Sequence, residues 1–141
     1  MGHFTYSESK DQHLCQGDIL KKTDKLIRVL SEVHPYFTRE EYEYFMVLTH
    51  TCDLVRRSGS QCKSKYITLC AVRSFETYLK REIKSKQKNK AEKGTICDSR
   101  YKSYFSELLE RLFNNNETEQ FFLASEYESE FPKYFVAYFR V

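Results

Sequence analysis

The sequence contains no tryptophan, only two prolines and four glycines, and no long apolar run. A membrane-spanning helix needs about 20 predominantly apolar residues, so no membrane association is predicted. The scarcity of glycine and proline disfavours a β-sandwich with many turns and long glycine-rich loops. The first eleven residues are polar and lack the apolar centre of a secretory signal peptide.

The five cysteines are odd in number and irregularly spaced, which is not the pattern of a disulfide framework. Disulfides persist in oxidising compartments, so the sequence predicts a reducing, cytoplasmic location. Most structural zinc sites contain a Cys-x-x-Cys or Cys-x-x-His pair, and this chain has neither. Two His-x-Cys pairs leave a zinc site chemically possible, at His13 with Cys15 and at His50 with Cys52. We predict no metal and no cofactor.

A chain of 141 residues has the length of one domain, and eleven Tyr and eleven Phe supply an aromatic core. The segment 133–141 is an apolar, strand-like run, whereas most chains end in a polar tail. Either this strand is tied into a sheet, or the chain is part of a longer protein. In the second case an exposed apolar edge at 134–141 predicts self-association.

Apolar runs rich in aromatic and β-branched residues predict the strands. Two of them, at 44–54 and 65–72, are expected to pair antiparallel in the centre of a sheet. Two more strands are predicted at 120–124 and 133–141. We treat the first part of the central run, residues 44–49, as the core strand of the fold, and residues 50–57 as a separate rim.

Apolar residues at helical spacing predict a helix near 24–34, capped by Thr23, and a helical insertion near 74–114. Thr38 and Glu41 have the spacing of a capping box, which predicts one further helical turn. Together these elements predict an α+β domain. Its core is a small antiparallel sheet or half-open barrel of four to five strands, with the helices packed against it.

Three candidate catalytic residues follow the central apolar run, namely His50, Cys52 and Asp53. Residues two apart on a strand share a face, which places His50 to act as the base for a Cys52 nucleophile. Arg56 and Arg57 follow directly, and nearby arginines lower the pKa of a thiol. Nucleophile and base usually come from separate segments, so simple burial of Cys52 is the alternative.

Asp18 and Asp53 both lie where a turn meets a strand. If the two strand ends converge, the carboxylates are suited to bind a divalent cation or to act as acid and base. The favoured alternative is that each carboxylate caps a local turn by accepting hydrogen bonds from backbone amides. Asp18 is retained as a candidate binding residue.

Positive charge is concentrated in two places. Three candidate binding residues follow the central strand: Arg56, Arg57 and Lys63. The segment 80–93 holds seven Lys or Arg against two Glu. Basic residues beside tyrosines such as Tyr66 suit nucleic-acid binding, although the net charge is only +3. A solvated lysine face, or pairing with the acidic segment 107–130, is the alternative.

Two segments, 16–20 (QGDIL) and 44–57 (YFMVLTHTCDLVRR), together with the run at 66–73, resemble a group of uncharacterised bacterial proteins. In that group a Gly-Asp-Ile segment precedes a strand ending in Cys-Asp-Leu and a second strand ending in an Ala-Val-type run. The resemblance spans roughly 15–75 and implies that this chain is a short or truncated member, with no activity attached. The Gly-Asp-Ile segment is also distantly similar to MazF/PemK-type toxins, which are small barrels with ribonuclease activity. Their usual Arg-Pro-Val strand is missing here.

These patterns predict a binding or regulatory module that acts through the rim around Cys52 and Asp53 and the adjacent basic loop. Its partner would be a nucleic acid or a protein. The alternative is a nucleic-acid-processing enzyme, a toxin-like ribonuclease. In that case His50 would be the base, Asp53 would orient it and Arg56 would hold the phosphate.

Overall fold

The computed structural model describes residues 13–56, 61–88, 99–124 and 134–139. Several sequence-based expectations lie outside these ranges. They concern Arg57, the N-terminal lead-in before residue 13, the part of the lysine-rich run at 89–93, the acidic loop at 125–133 and the last two residues.

Within the described residues, five strands form one antiparallel sheet that is not closed into a barrel. The strands are β1 (Ile19–Lys21), β2 (Tyr44–Val47), β3 (Leu69–Ser74), β4 (Gln120–Leu123) and β5 (Phe135–Tyr138). Their order in the sheet is β1-β2-β3-β5-β4. In the predicted central pair, Phe45 lies opposite Ala71 and Met46 opposite Cys70. The α+β class and the predicted small sheet are confirmed.

Three of the helices lie in the regions predicted to be helical, near 24–34 and 74–114. The helical elements are α1 (Asp24–Val33), a 3₁₀ turn (Pro35–Thr38), α2 (Thr51–Leu54), α3 (Phe75–Lys88) and α4 (Ser99–Phe113). The hydroxyl of Thr23 accepts the Leu26 N–H at 3.4 Å, which caps α1 as predicted. The predicted capping box is wrong, because Thr38 ends the 3₁₀ turn and its hydroxyl donates to the Pro35 carbonyl at 2.7 Å.

The described chain divides into two compact units, the first formed by residues 6–73 with 137–141. Its core contains Leu30, Tyr42 and Phe45, which are 8, 0 and 2% exposed. The half-buried side chains of Leu26, Phe37, Leu69 and Ala71 pack against this core. This unit contains every candidate catalytic residue.

The second unit is formed by the described residues of 74–136. It contains an aromatic cluster in which the ring centroids of Phe113 and Phe122 lie 4.8 Å apart and those of Phe75 and Phe122 lie 5.7 Å apart. Such edge-to-face pairs add stability beyond simple area burial. The core side chains of this unit are Tyr78, Leu108, Leu112, Leu123, Phe135 and Val136.

Helix α4 ends in a Schellman motif centred on Asn115, which has φ +53°. The Asn116 N–H donates to the Arg111 carbonyl at 2.8 Å, and the Asn115 N–H donates to the Leu112 carbonyl at 3.0 Å. The Asn115 side chain then reaches β4, where its Oδ1 accepts the Phe122 N–H at 2.7 Å. One residue therefore both ends the helix and fixes the strand that follows.

Of the two alternatives for the C-terminal run, a strand tied into the sheet is confirmed for Phe135–Tyr138, because β5 lies between β3 and β4. Phe135, Val136 and Ala137 are 4, 0 and 0% exposed. An interior strand has no free edge for another chain to extend, and self-association through this segment stays a prediction. No helix among the described residues is long and apolar enough to cross a membrane.

Candidate functional site

A tight turn at residues 15–18, which we call the Gly-Asp turn, is fixed against the end of β2. Gly17 has φ +92°, a conformation that favours glycine, and its N–H donates to the Val47 carbonyl at 2.9 Å. The Asp18 carboxylate accepts the Cys15 N–H at 2.7 Å, and the Asp18 N–H donates to the Cys15 carbonyl at 3.2 Å. This geometry supports the turn-capping interpretation of Asp18.

The same turn is bonded to the residues that follow β2. The Gln16 N–H donates to Thr51 Oγ1 at 2.9 Å, and Gln16 Nε2 donates to the Leu48 carbonyl at 3.2 Å. The two segments that the sequence singled out, 16–20 and 44–57, are therefore in direct contact. A rigid hydrogen-bonded frame results at this end of β2.

Strand β2 is shorter than the predicted run at 44–54 and ends at Val47. After it, Thr49 Oγ1 accepts the Thr68 N–H at 2.7 Å, so a side chain takes the place of a backbone acceptor. Threonine and aspartate side chains favour turns and helix starts over regular ladders. Residues Thr51–Leu54 accordingly form α2.

The strand argument that placed His50 and Cys52 on one face is therefore wrong. His50 precedes α2 and Cys52 lies within it, and residues two apart in a helix point in different directions. Both side chains are exposed, and Asp53 is half-buried.

The described residues provide no support for a preformed catalytic arrangement at these positions. No side-chain hydrogen bond or ion pair within 13–56, 61–88, 99–124 and 134–139 joins His50, Cys52 and Asp53. The Asp53 N–H donates to the His50 carbonyl at 3.0 Å, which is a backbone contact only. Across the same ranges no group of three His, Cys, Asp or Glu is placed to hold a metal ion. The catalytic roles stay predictions.

The basic segment after α2 has a defined conformation, and we call residues 61–68 the rim loop. The Ser64 N–H donates to the Asp53 carbonyl at 3.1 Å, which attaches the loop to α2. At its other end, the Leu48 N–H donates to the Thr68 carbonyl at 2.9 Å. Within the loop, the Ser64 hydroxyl donates to the Tyr66 carbonyl at 2.5 Å. Hydrogen bonds therefore hold the loop at both ends and near its middle.

The rim loop exposes two apolar side chains: Tyr66 is 83% exposed and Ile67 is 52% exposed. Both were predicted to lie in the strand at 65–72, but β3 begins only at Leu69. Lys63 and Lys65 are exposed in the same loop, and Arg56 is exposed two residues after α2, to which the loop is bonded. No ion pair or side-chain hydrogen bond within the described chain occupies these cations.

Two further residues with potentially functional side chains, Tyr78 and Cys70, are buried. Tyr78 is only 1% exposed and belongs to a core. Burial raises the pKa of the Cys70 thiol to about 11, so it remains protonated and unreactive near neutral pH. The described cysteines, Cys15, Cys52, Cys62 and Cys70, are free thiols.

A cluster around Arg73 was missed by the sequence interpretation. Its guanidinium donates to the Tyr42 hydroxyl, lies 3.6 Å from Glu41 and lies 4.6 Å from the Tyr42 ring centroid. Burial, reinforced by a hydrogen bond with Tyr36, raises the pKa of Tyr42. Because Arg73 is satisfied on several sides, we interpret the cluster as structural. Arg73 lies 31 positions from Tyr42 in the sequence, so no local sequence pattern predicts the cluster.

The fold and site define an α+β protein with an open antiparallel sheet and a framed, basic loop beside the central strand. No protein-family model matches the chain, and no curated protein or solved structure is significantly similar to it.

Proposed function

We propose that the chain is a non-catalytic binding module for single-stranded nucleic acid, acting through the rim loop and α2 in the cytoplasm. The observation that carries the proposal is the exposure of Tyr66 in a loop that also exposes Lys63 and Lys65, neither of which has an ion-pair partner in the described chain. The free thiols of the described cysteines agree with a reducing compartment.

The exposed side chains of the rim loop are accessible to a ligand. A tyrosine that is 83% accessible next to an isoleucine that is 52% accessible leaves apolar surface in water. Aromatic rings stack on unpaired bases of any sequence, at about 1–3 kcal/mol per base. Tyr66 has the ring and the accessibility that such stacking requires.

The cations supply the second half of the interaction. Lys63 and Lys65 are exposed in the rim loop and Arg56 is exposed just after α2, and lysine and arginine attract the phosphates that flank a stacked base. The backbone bonds from Ser64 to Asp53 and from Leu48 to Thr68 hold the loop before any ligand binds. Such preorganisation lowers the entropy cost of binding.

Fluorescence anisotropy with a labelled single-stranded RNA of twelve nucleotides tests the proposal. Tyr66→Ala should weaken binding about 5- to 150-fold, the equivalent of one lost stacking contact. Tyr66→Phe should bind like the natural chain because it keeps the ring. Val29→Ala, at a residue of α1 that is 58% exposed, is the control for loss of an exposed apolar side chain.

Replacing the three cations together by glutamine should make the logarithm of affinity less dependent on salt, with the slope reduced by about 2. Equal affinities for the alanine and phenylalanine variants of Tyr66 would contradict the stacking contact. RNA cleavage by the natural chain that is lost in His50→Ala would instead identify a ribonuclease.

A further inference from the structure

The exposed face of α3 in the second unit carries a basic groove that the proposed function does not use. Its volume is about 530 Å³. The lining residues are Thr77, Lys80, Arg81, Lys84 and Ser85. They recur at helical spacing, so they form one continuous stripe along the helix. We propose that this stripe, which we call the α3 basic face, binds the phosphate backbone of nucleic acid independently of the rim loop.

The α3 basic face is separated from the buried side of the same helix. Tyr78 is 1% exposed, and Lys86 lies with its Nζ 4.1 Å from the ring centroid of Tyr104 on α4. The buried side of α3 is therefore committed to its own unit. The stripe faces the solvent, and Arg81 and Lys84 have no ion-pair partner within the described chain.

The charges on this face are only partly neutralised. Lys80 Nζ lies 2.6 Å from Glu76 Oε1, but both side chains are more than 60% exposed. Exposed pairs of this kind contribute less than about 1 kcal/mol, so Lys80 can exchange Glu76 for a phosphate. Lys80 and Lys84 are separated by about 6 Å along the helix axis. Two cations one turn apart can therefore contact successive phosphates of one strand.

Thr77 and Ser85 are the first and last lining residues along the helix, and the three cations lie between them. The Thr77 hydroxyl is hydrogen-bonded to Ser74 Oγ at 2.7 Å, so Ser85 supplies the hydroxyl available to a ligand. Hydroxyl groups are common donors to phosphate oxygens alongside lysine and arginine. An acidic protein segment would also satisfy three cations, but the match of Lys80 and Lys84 to successive phosphates favours a phosphate backbone.

Duplex DNA is a ligand that distinguishes binding by the α3 basic face from binding by the rim loop, because its bases are stacked on one another and cannot stack on Tyr66. The test measures anisotropy of a labelled duplex of 20 base pairs against the full chain at several salt concentrations. In K80Q/R81Q/K84Q the slope of log affinity against log salt should fall in magnitude by about 2–3. Glutamine keeps the helix propensity close to that of lysine, and far-UV circular dichroism checks that α3 is folded.

The matched control is K21Q/K25Q/R28Q, which removes the same charge from exposed residues of the first unit. This control should keep the slope of the natural chain, and Tyr66→Ala should leave duplex binding unchanged. Equal losses in both triple variants would show a net-charge effect and overturn the proposal. Failure of the natural chain to bind duplex DNA in low salt would also overturn the proposal. So would a poly-glutamate peptide that binds the natural chain more tightly than duplex DNA does and that no longer binds K80Q/R81Q/K84Q. A loss of affinity for single-stranded RNA in Tyr66→Ala tests the rim loop and is independent of the α3 basic face.

Discussion

Asn115 combines two separable contributions to stability, and its replacement tests both. The residue has φ +53°, and its Oδ1 accepts the Phe122 N–H at 2.7 Å. A non-glycine residue without a suitable side chain pays about 1–2 kcal/mol in the left-handed region. Loss of the hydrogen bond costs about another 0.5–1.5 kcal/mol. The second bond, from Nδ2 to the Phe122 carbonyl at 3.5 Å, is too long to add much.

Three substitutions distinguish these contributions. Asn115→Ala should lose both and destabilise the chain by about 1.5–3.5 kcal/mol. Asn115→Gly accepts the backbone conformation, so its cost should be only that of the lost hydrogen bond and of glycine flexibility, about 1–2.5 kcal/mol. Asn115→Asp keeps the acceptor and tolerates the left-handed region, so its cost should be below about 1 kcal/mol.

The assay is urea denaturation followed by far-UV circular dichroism, with the free energy of unfolding compared at constant m-value. Equal losses for the alanine and glycine variants would show that the left-handed backbone costs nothing here. A glycine variant as stable as the natural chain would show that the side-chain bond to β4 contributes nothing.

Three further predictions concern the first unit. Gly17→Ala should destabilise the chain by about 1–2 kcal/mol through its φ of +92° alone, since no atom lies within 4 Å of an added Cβ. Gly17→Asn should cost less in the same urea assay, because asparagine tolerates the left-handed region better. Equal costs for the two variants would contradict this reasoning. N-ethylmaleimide at pH 8, read by peptide mass spectrometry, should label exposed Cys52 rapidly and Cys70 only on unfolding; rapid labelling of Cys70 would refute its burial. Because burial raises the Cys70 pKa from 9.0 to about 11, the folded thiol keeps its proton longer than the unfolded one. Its contribution to stability should be complete below pH 9 and decline toward pH 11, a decline that Cys70→Ala should reduce.

The sequence predicted the elements whose signal is local. Apolar residues such as Leu26 and Leu30 recur at helical spacing after Thr23, and α1 occupies Asp24–Val33 within the predicted 24–34. The central strand pair was visible as two long apolar runs, and β2 with β3 confirms it. Periodicity and caps suffice where one face of an element is buried by its neighbours.

The ends of these strands were not predictable, because tertiary hydrogen bonds decide them. The apolar run at 65–72 predicted a strand from its first residue, yet Tyr66 lies in a loop that Ser64 and Thr49 fix through side-chain hydrogen bonds. Side-chain to backbone bonds of this kind compete with the sheet ladder and leave no periodic signal. The exposed ring at the rim loop is the consequence.

The sequence singled out the two segments that meet, but not the conformation that follows β2. Contact between Gln16 and Thr51 joins the two segments that the sequence identified. Catalysis by His50 with Cys52 depended on a strand that the structure replaces with α2. The apolar C-terminal run predicted a strand, but it did not show which strands lie beside it. The position of β5 between β3 and β4 was therefore not predicted.

Backbone amide shifts during a titration with single-stranded RNA of twelve nucleotides test the central claim most directly. Proton–nitrogen correlation spectra of the full chain should show the largest changes at residues 61–68, with smaller changes at Cys52–Arg56, and Tyr66→Ala should suppress both. Absence of shifts in the rim loop at saturating RNA, or shifts of equal size in Tyr66→Ala, would contradict binding through this loop.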